Sequence, residues 1–120
     1  EALRSIYEKS RLEVPKLDDA LVEASRAGGA DPATTRKLFK IIVDAGEVVQ
    51  VSPEFYFSSR AIDELAARMR SFADRSPDRL IDVPAFKDLA GISRKYAIPL
   101  LEYFDRTKVT ARRGDKRLIL

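Results

Sequence analysis

Ser93-Arg94-Lys95-Tyr96-Ala97-Ile98-Pro99-Leu100-Leu101-Glu102-Tyr103-Phe104-Asp105-Arg106 is followed, after Thr107, by Lys108-Val109-Thr110-Ala111-Arg112-Arg113-Gly114-Asp115-Lys116-Arg117-Leu118. The first run opens on a serine of helix-capping type and two cations, then turns apolar at helical spacing through Ile98, Leu101, Tyr103 and Phe104. The second reads as strand, basic turn, strand, with Val109 and Thr110 leading in and Leu118-Ile119-Leu120 leading out. A buried helix with a cationic start, followed by a hairpin with a cationic tip, is the layout of a winged helix that reads nucleic acid.

Working outward from this stretch, the rest of the chain reads as support. Ala2, Leu3, Ile6 and Tyr7 share one face of a first helix that ends by Arg11. A second helix turns Leu17, Ala20, Leu21 and Ala24 inward until Ala27-Gly28-Gly29 stops it. Asp31-Pro32 starts a third, with Leu38, Phe39, Ile42 and Val43 as its expected core face and Gly46 as its end. Val48 to Val51, a turn at Ser52-Pro53-Glu54, and Phe55-Tyr56-Phe57 complete a hairpin. The plan then repeats: a long helix from about Ser59 carries Ile62, Leu65, Ala66, Met69 and Phe72, and a short one carries Phe86 and Leu89. Leu80-Ile81-Asp82-Val83-Pro84 echoes Arg11-Leu12-Glu13-Val14-Pro15 as an extended stretch before proline. The expected fold is mainly α with small β-hairpins (α+β): two tandem winged-helix units of three helices and a wing each, 1–58 structural and 59–120 nucleic-acid-binding.

Composition narrows the function further. Hydrophobic residues make up 45% and charged residues 34%, as in an ordinary globular protein. No apolar run approaches a membrane span, and the start at Glu1 suggests a piece of a longer protein. With no Cys and no His, zinc fingers, thiol nucleophiles and imidazole bases are excluded, and there is no Gly-rich phosphate loop. The chain is therefore read as not an enzyme, with neither cofactor nor metal. The net charge of +3 is unevenly spread: residues 1–60 hold 9 basic and 10 acidic residues, residues 61–120 hold 13 and 9. From Ser93 onward there are 8 basic and 3 acidic residues, so the positive excess sits at the carboxyl-terminal end.

The candidate site is Ser93, Arg94, Lys95, Tyr96, Arg112, Arg113, Gly114, Lys116 and Arg117. Cations in a first helical turn face the positive end of the macrodipole, a mild penalty that a bound phosphate reverses. Tyr96 reads as core or as a platform for an exposed base. Pro99 removes the amide that would serve the Lys95 carbonyl, so the first turn is expected to be bent or loosened. Gly114 supplies a positive φ to the turn, but the turn does not explain the four cations around it. The first hairpin tip, Ser52-Pro53-Glu54, is neutral to acidic and is not expected to bind phosphate.

Residues 93–105 together with Lys108-Val109-Thr110 and Gly114-Asp115-Lys116-Arg117 resemble the carboxyl-terminal winged-helix unit of the bacterial selenocysteine-specific elongation factor family, SelB. The tandem pattern extends this resemblance over the whole chain, residues 1–80 matching in pattern only. The resemblance implies that the last unit grips the selenocysteine insertion (SECIS) hairpin of messenger RNA through Arg94, with Ser93 and Lys95 beside it, and through the wing arginines and Gly114. It implies a cytoplasmic bacterial location and a parent GTPase whose GTP, magnesium, selenocysteyl-tRNA and ribosome belong to other domains, with this segment a monomer. The family pattern places its arginines directly after the threonine; here Ala111 intervenes, which leaves the roles of Arg112 and Arg113 open. The shape of A-form RNA agrees, since its deep groove excludes a helix and leaves loop nucleotides and stem phosphates as targets. The alternatives are a DNA-binding regulator, which needs dimers on two-fold duplex sites, and a protein-interaction module, which needs no salt-sensitive nucleic-acid binding.

Overall fold

The glycine and proline stops divide the chain, in a computed structural model that describes residues 2–120, into six helices and five short strands. The helices are α1 (Ala2–Ser10), α2 (Leu17–Gly28), α3 (Pro32–Asp44), α4 (Ser59–Asp74), α5 (Val83–Ala90) and α6 (Arg94–Arg106). The strands are β1 (Val48–Gln50), β2 (Tyr56–Ser58), β3 (Leu80–Asp82), β4 (Thr110–Arg113) and β5 (Lys116–Ile119). They form two units, the first ending at Ile62 and the second spanning Asp63–Leu120. That division lies slightly later than the boundary expected after residue 58, because the first unit holds the first turn of α4. Ser59 N donates to Glu47 O at 2.9 Å, Ser59 Oγ donates to Gly46 O, and Ala61 N donates to Ser58 Oγ at 3.1 Å.

In the first unit, Arg11 at φ 54° marks the end of α1, and Gly29 at φ 68° closes α2 in a conformation a Cβ would strain. Asp31 starts α3 by accepting from Thr34 N at 2.7 Å. Leu3, Tyr7, Ala20, Leu21, Ala24, Phe39, Ile42, Val48 and Phe57 are buried, and the Phe39 ring stands edge-on to Tyr56 at 4.8 Å. Leu38, expected in the core, is instead 45% exposed, and Ile41 is 58% exposed. The inward stripe of α3 is Thr35, Phe39 and Ile42, with Leu38 at its uncovered edge. Thr35 is tolerated inside because its Oγ1 donates to Asp31 O at 3.0 Å and pairs with Ser25 Oγ at 2.8 Å.

The second unit buries Leu65, Met69, Ile81, Phe86, Ala97, Leu100, Leu101, Phe104 and Ile119. Its wing is a three-stranded antiparallel sheet in the order β3-β5-β4, one strand more than the expected hairpin. The extra strand is Leu80-Ile81-Asp82, paired as Leu80↔Leu118, Ile81↔Arg117 and Asp82↔Lys116. Burial of Ile81 against β5 gives this stretch a reason to pair, and Asp82 then caps α5 by accepting from Ala85 N at 2.9 Å. The sheet begins at Thr110 rather than Val109, since Lys108 takes φ 66° and turns the chain out of α6 first.

Candidate nucleic-acid interface

The start of α6 follows α5 through a tight turn. Gly91, at φ 70°, donates its amide to Lys87 O at 2.7 Å, buried Ile92 anchors the link, and Ser93 enters the helix extended at φ −83°, ψ 167°. The Ser93 carbonyl accepts from Tyr96 N and Ala97 N, but its hydroxyl makes no capping hydrogen bond. Four other helix starts differ. Asp31 and Asp82 close α3 and α5 with carboxylates, α2 carries Asp18 and Asp19 in its first turn, and Ser58 Oγ serves the first turn of α4. The first turn of α6 holds no acid, so its amide dipoles face outward with Arg94 and Lys95 beside them. Both side chains are exposed, and among the described residues neither pairs with a carboxylate. An uncapped helix start with two cations beside it is chemically suited to an anion.

Tyr96 goes the other way. It is 9% exposed, packed in the core, and the Lys95 ammonium lies 5.0 Å from its ring centroid. That placement removes it from the surface a base can reach and gives it the task of steering Lys95. Pro99 lies inside α6, where it offers no amide to the Lys95 carbonyl, yet the helix continues to Arg106.

The wing concentrates charge by register. Arg112 stands directly across from Arg117, and Arg113 directly across from Lys116, so two neighbouring rungs each pair like charges. Such rungs are destabilising in an isolated hairpin. Gly114 at φ 64° and Asp115 close the turn, the positive φ falling at the first central position as in a type II′ hairpin. Arg112 Nε donates to Gly114 O and Arg113 donates to Arg112 O, both at 3.1 Å. These bonds orient the guanidinium groups without neutralising them. Arg112, Arg113 and Lys116 are exposed, and among the described residues none has a carboxylate partner.

Arg117 is the correction. It is 5% exposed, and its Nε donates to Asp105 Oδ2 at 3.3 Å. Strand alternation turns it to the helix side of the sheet, with Ile119 and Thr110, so its charge is spent inside the unit. The sequence reading passed over Asp105, the residue that causes this; its signal was an acid in the last turn of a helix, where the macrodipole disfavours it unless a cation is near. The groups left facing solvent are Ser93, Arg94, Lys95, Arg112, Arg113, Gly114 and Lys116. From Arg94 to Asp105 is about 16 Å along the helix axis, and from Thr110 to Gly114 about 13 Å of strand. No helix among the described residues is long and apolar enough to cross a membrane.

Residues 76–119 match the family model described as "Elongation factor SelB, winged helix". The selenocysteine-specific elongation factor of Desulfomicrobium baculatum is 35% identical over 120 residues, 98% of this chain and 18% of that protein. That of Escherichia coli (strain K12) is 28% identical over 97 residues, 81% of this chain and 16% of that protein. The chain thus spans less than a fifth of either relative. Among solved structures, the mRNA-binding domain of elongation factor SelB from E. coli in complex with SECIS RNA superposes with a TM-score of 0.70 at 26% identity, covering 99% of this chain and 97% of that one. A bacterial selenocysteine-specific elongation factor EF-Sec, 19% identical, shares the fold at a TM-score of 0.76 over 98% of this chain and 17% of its own. With the open start of α6, the charged wing and these matches together, the chain belongs to the selenocysteine-specific elongation factor (SelB) family, as a segment of its winged-helix region.

Proposed function

We infer that the second unit grips the SECIS stem-loop of messenger RNA and thereby tethers a selenocysteyl-tRNA elongation factor near its UGA codon. The observation that carries this is the pairing of uncompensated cations at two places, the first turn of α6 and the wing tip, in a fold shared with an E. coli domain solved in complex with SECIS RNA. Arg94 and Lys95 would receive loop or stem phosphates at the helix start, with the Ser93 hydroxyl free to join them. Arg112, Arg113 and Lys116 would follow the backbone, and Gly114 would allow close approach at the turn. Tethering works by effective concentration: a factor held on one message meets the adjacent codon far more often than one in solution. GTP hydrolysis, magnesium and tRNA delivery are assigned to the rest of the longer protein, since this segment has no Gly-rich phosphate loop.

The test is a binding titration at near-physiological salt with three ligands: a SECIS-type RNA hairpin, the same stem with a scrambled loop, and duplex DNA. The hairpin is expected to bind best, and Arg94→Ala to weaken it about tenfold. Equal affinity for duplex DNA, or an Arg94→Ala protein as tight as wild type, would refute the assignment.

A further inference from the structure

The Asp105 carboxylate, in the last turn of α6, touches two strands of the wing, β4 and β5. Its Oδ1 accepts from Thr110 Oγ1 on β4 at 2.6 Å, and its Oδ2 accepts from Arg117 Nε on β5 at 3.3 Å. Thr110 is 1% exposed and Arg117 5%, while the Asp105 side chain is 25% exposed, so these bonds are partly shielded from water. The ladder bonds of β4 and β5 join strand to strand, and Phe104 and Ile119 add apolar packing between helix and sheet. Apolar packing is non-directional and leaves the angle of a small sheet loosely set. Directional charge-assisted bonds to two adjacent strands fix it.

Resting on the stem-loop reading above, we propose that Asp105 is a positioning residue for RNA binding: through Thr110 and Arg117 it sets the direction in which the wing presents Arg112, Arg113 and Lys116. Arg117 then contributes through Asp105 and makes no phosphate contact of its own.

The sign of one substitution separates this from simple electrostatics. Asp105→Asn removes a negative charge from a surface that meets a polyanion, so charge alone would tighten binding. Loss of the clasp does the opposite, because the amide carries no charge for the Arg117 guanidinium and has one acceptor oxygen where the carboxylate offers one each to Thr110 and Arg117. Hairpin affinity is expected to fall about tenfold, and the slope of log K against log salt to shrink by about 2 as wing cations disengage. Thr110→Val, which changes no charge and keeps the side-chain shape, is expected to act in the same direction. Amide exchange over Ala111 to Lys116 is expected to quicken in both variants while α6 stays protected. If Asp105→Asn fails to fold, Thr110→Val decides alone. Binding as tight as wild type with an unchanged salt slope overturns the proposal. Should the wild-type chain show no preference for the hairpin, the stem-loop reading fails and wing exchange alone is the judge: faster exchange supports the clasp, unchanged exchange overturns it.

Discussion

Arg113→Thr is expected to stabilise the folded chain while weakening its hold on RNA. The register places Arg113 across from Lys116 on β4, an outer strand of the sheet, with both side chains in water. Replacing one partner of a like-charged cross-strand pair relieves about 0.2–1 kcal/mol, and threonine suits an exposed strand position as well as arginine does. With a urea dependence of about 1 kcal/mol/M, as suits so small a unit, the midpoint for the second unit rises by about 0.2–1 M. Binding moves the other way. Five exposed cations at the helix start and the wing have no carboxylate partner among the described residues (Arg94, Lys95, Arg112, Arg113 and Lys116), and contact of each with one phosphate gives a log–log salt slope of about −3.5 to −4.5. Removing Arg113 lowers its magnitude by about 0.7–0.9, with a three- to tenfold loss of affinity near 0.15 M salt, equivalent to about 0.7–1.4 kcal/mol. Urea unfolding followed at wing amides, together with hairpin titrations at four salt concentrations, measures both. A lowered urea midpoint, or an unchanged salt slope, refutes the claim that this rung is kept for an anionic partner.

Tyr7 is buried with its hydroxyl lacking a hydrogen-bond partner, so Tyr7→Phe is expected to raise stability by about 1 kcal/mol in chemical denaturation. Burial, and next the nearby Tyr56, push the Tyr7 phenol above its ordinary range. Its folded-state pKa exceeds the unfolded one, so its contribution is complete below about pH 10 and is lost as pH rises beyond; Tyr7→Phe should flatten that alkaline limb. At the acid end, hydrogen bonds from Arg4 hold Glu47 low and the Thr34 amide holds Asp31 low, so their contributions are present above the usual carboxylate range and fade as pH falls through it. Arg4→Ala should make the first unit's acid unfolding less steep. Leu38→Lys should change stability by no more than about 0.5 kcal/mol, whereas Phe39→Ala should cost about 3–5 kcal/mol, which thermal unfolding distinguishes.

Much of this architecture was legible from local signals. Helix stops at Gly29 and Gly91, the Asp31-Pro32 start, and the Gly114 turn each follow from one residue's backbone preference, and each lies where its chemistry requires. Strand β3 was not legible, because Leu80-Ile81-Asp82 echoes Arg11-Leu12-Glu13 and only the partner strand β5 distinguishes them. Leu38 misled because hydropathy ignores helical phase, and the inward position belongs to Thr35, whose hydroxyl finds two partners. At the site, the exposed cations could be identified from the charge run alone. Arg117 could not, since its burial depends on strand parity and on Asp105, twelve residues away.

The two units share a plan but are finished differently, and the differences fall on the same two elements. In the first, α3 begins under the Asp31 carboxylate, and the hairpin tip carries Glu54, whose side chain lies 3.6 Å from Lys16 while its carbonyl accepts from Leu17 N at 2.9 Å. Helix start and tip are both occupied from within the unit, and both carry negative charge. In the second, α6 begins uncapped beside Arg94 and Lys95, and the tip sets Arg113 across from Lys116 with no carboxylate partner for either among the described residues. A penalty at one element could be an accident of drift; penalties of the same sign at both elements, absent from the unit folded on the same plan, are what an anionic partner would select. Exchanging the two starts tests this: Ser93→Asp should close α6 as Asp31 closes α3, leave its helix as stable or more so, and sharply reduce hairpin binding. A Ser93→Asp protein that binds the hairpin as well as wild type would show that the open helix start has no part in recognition.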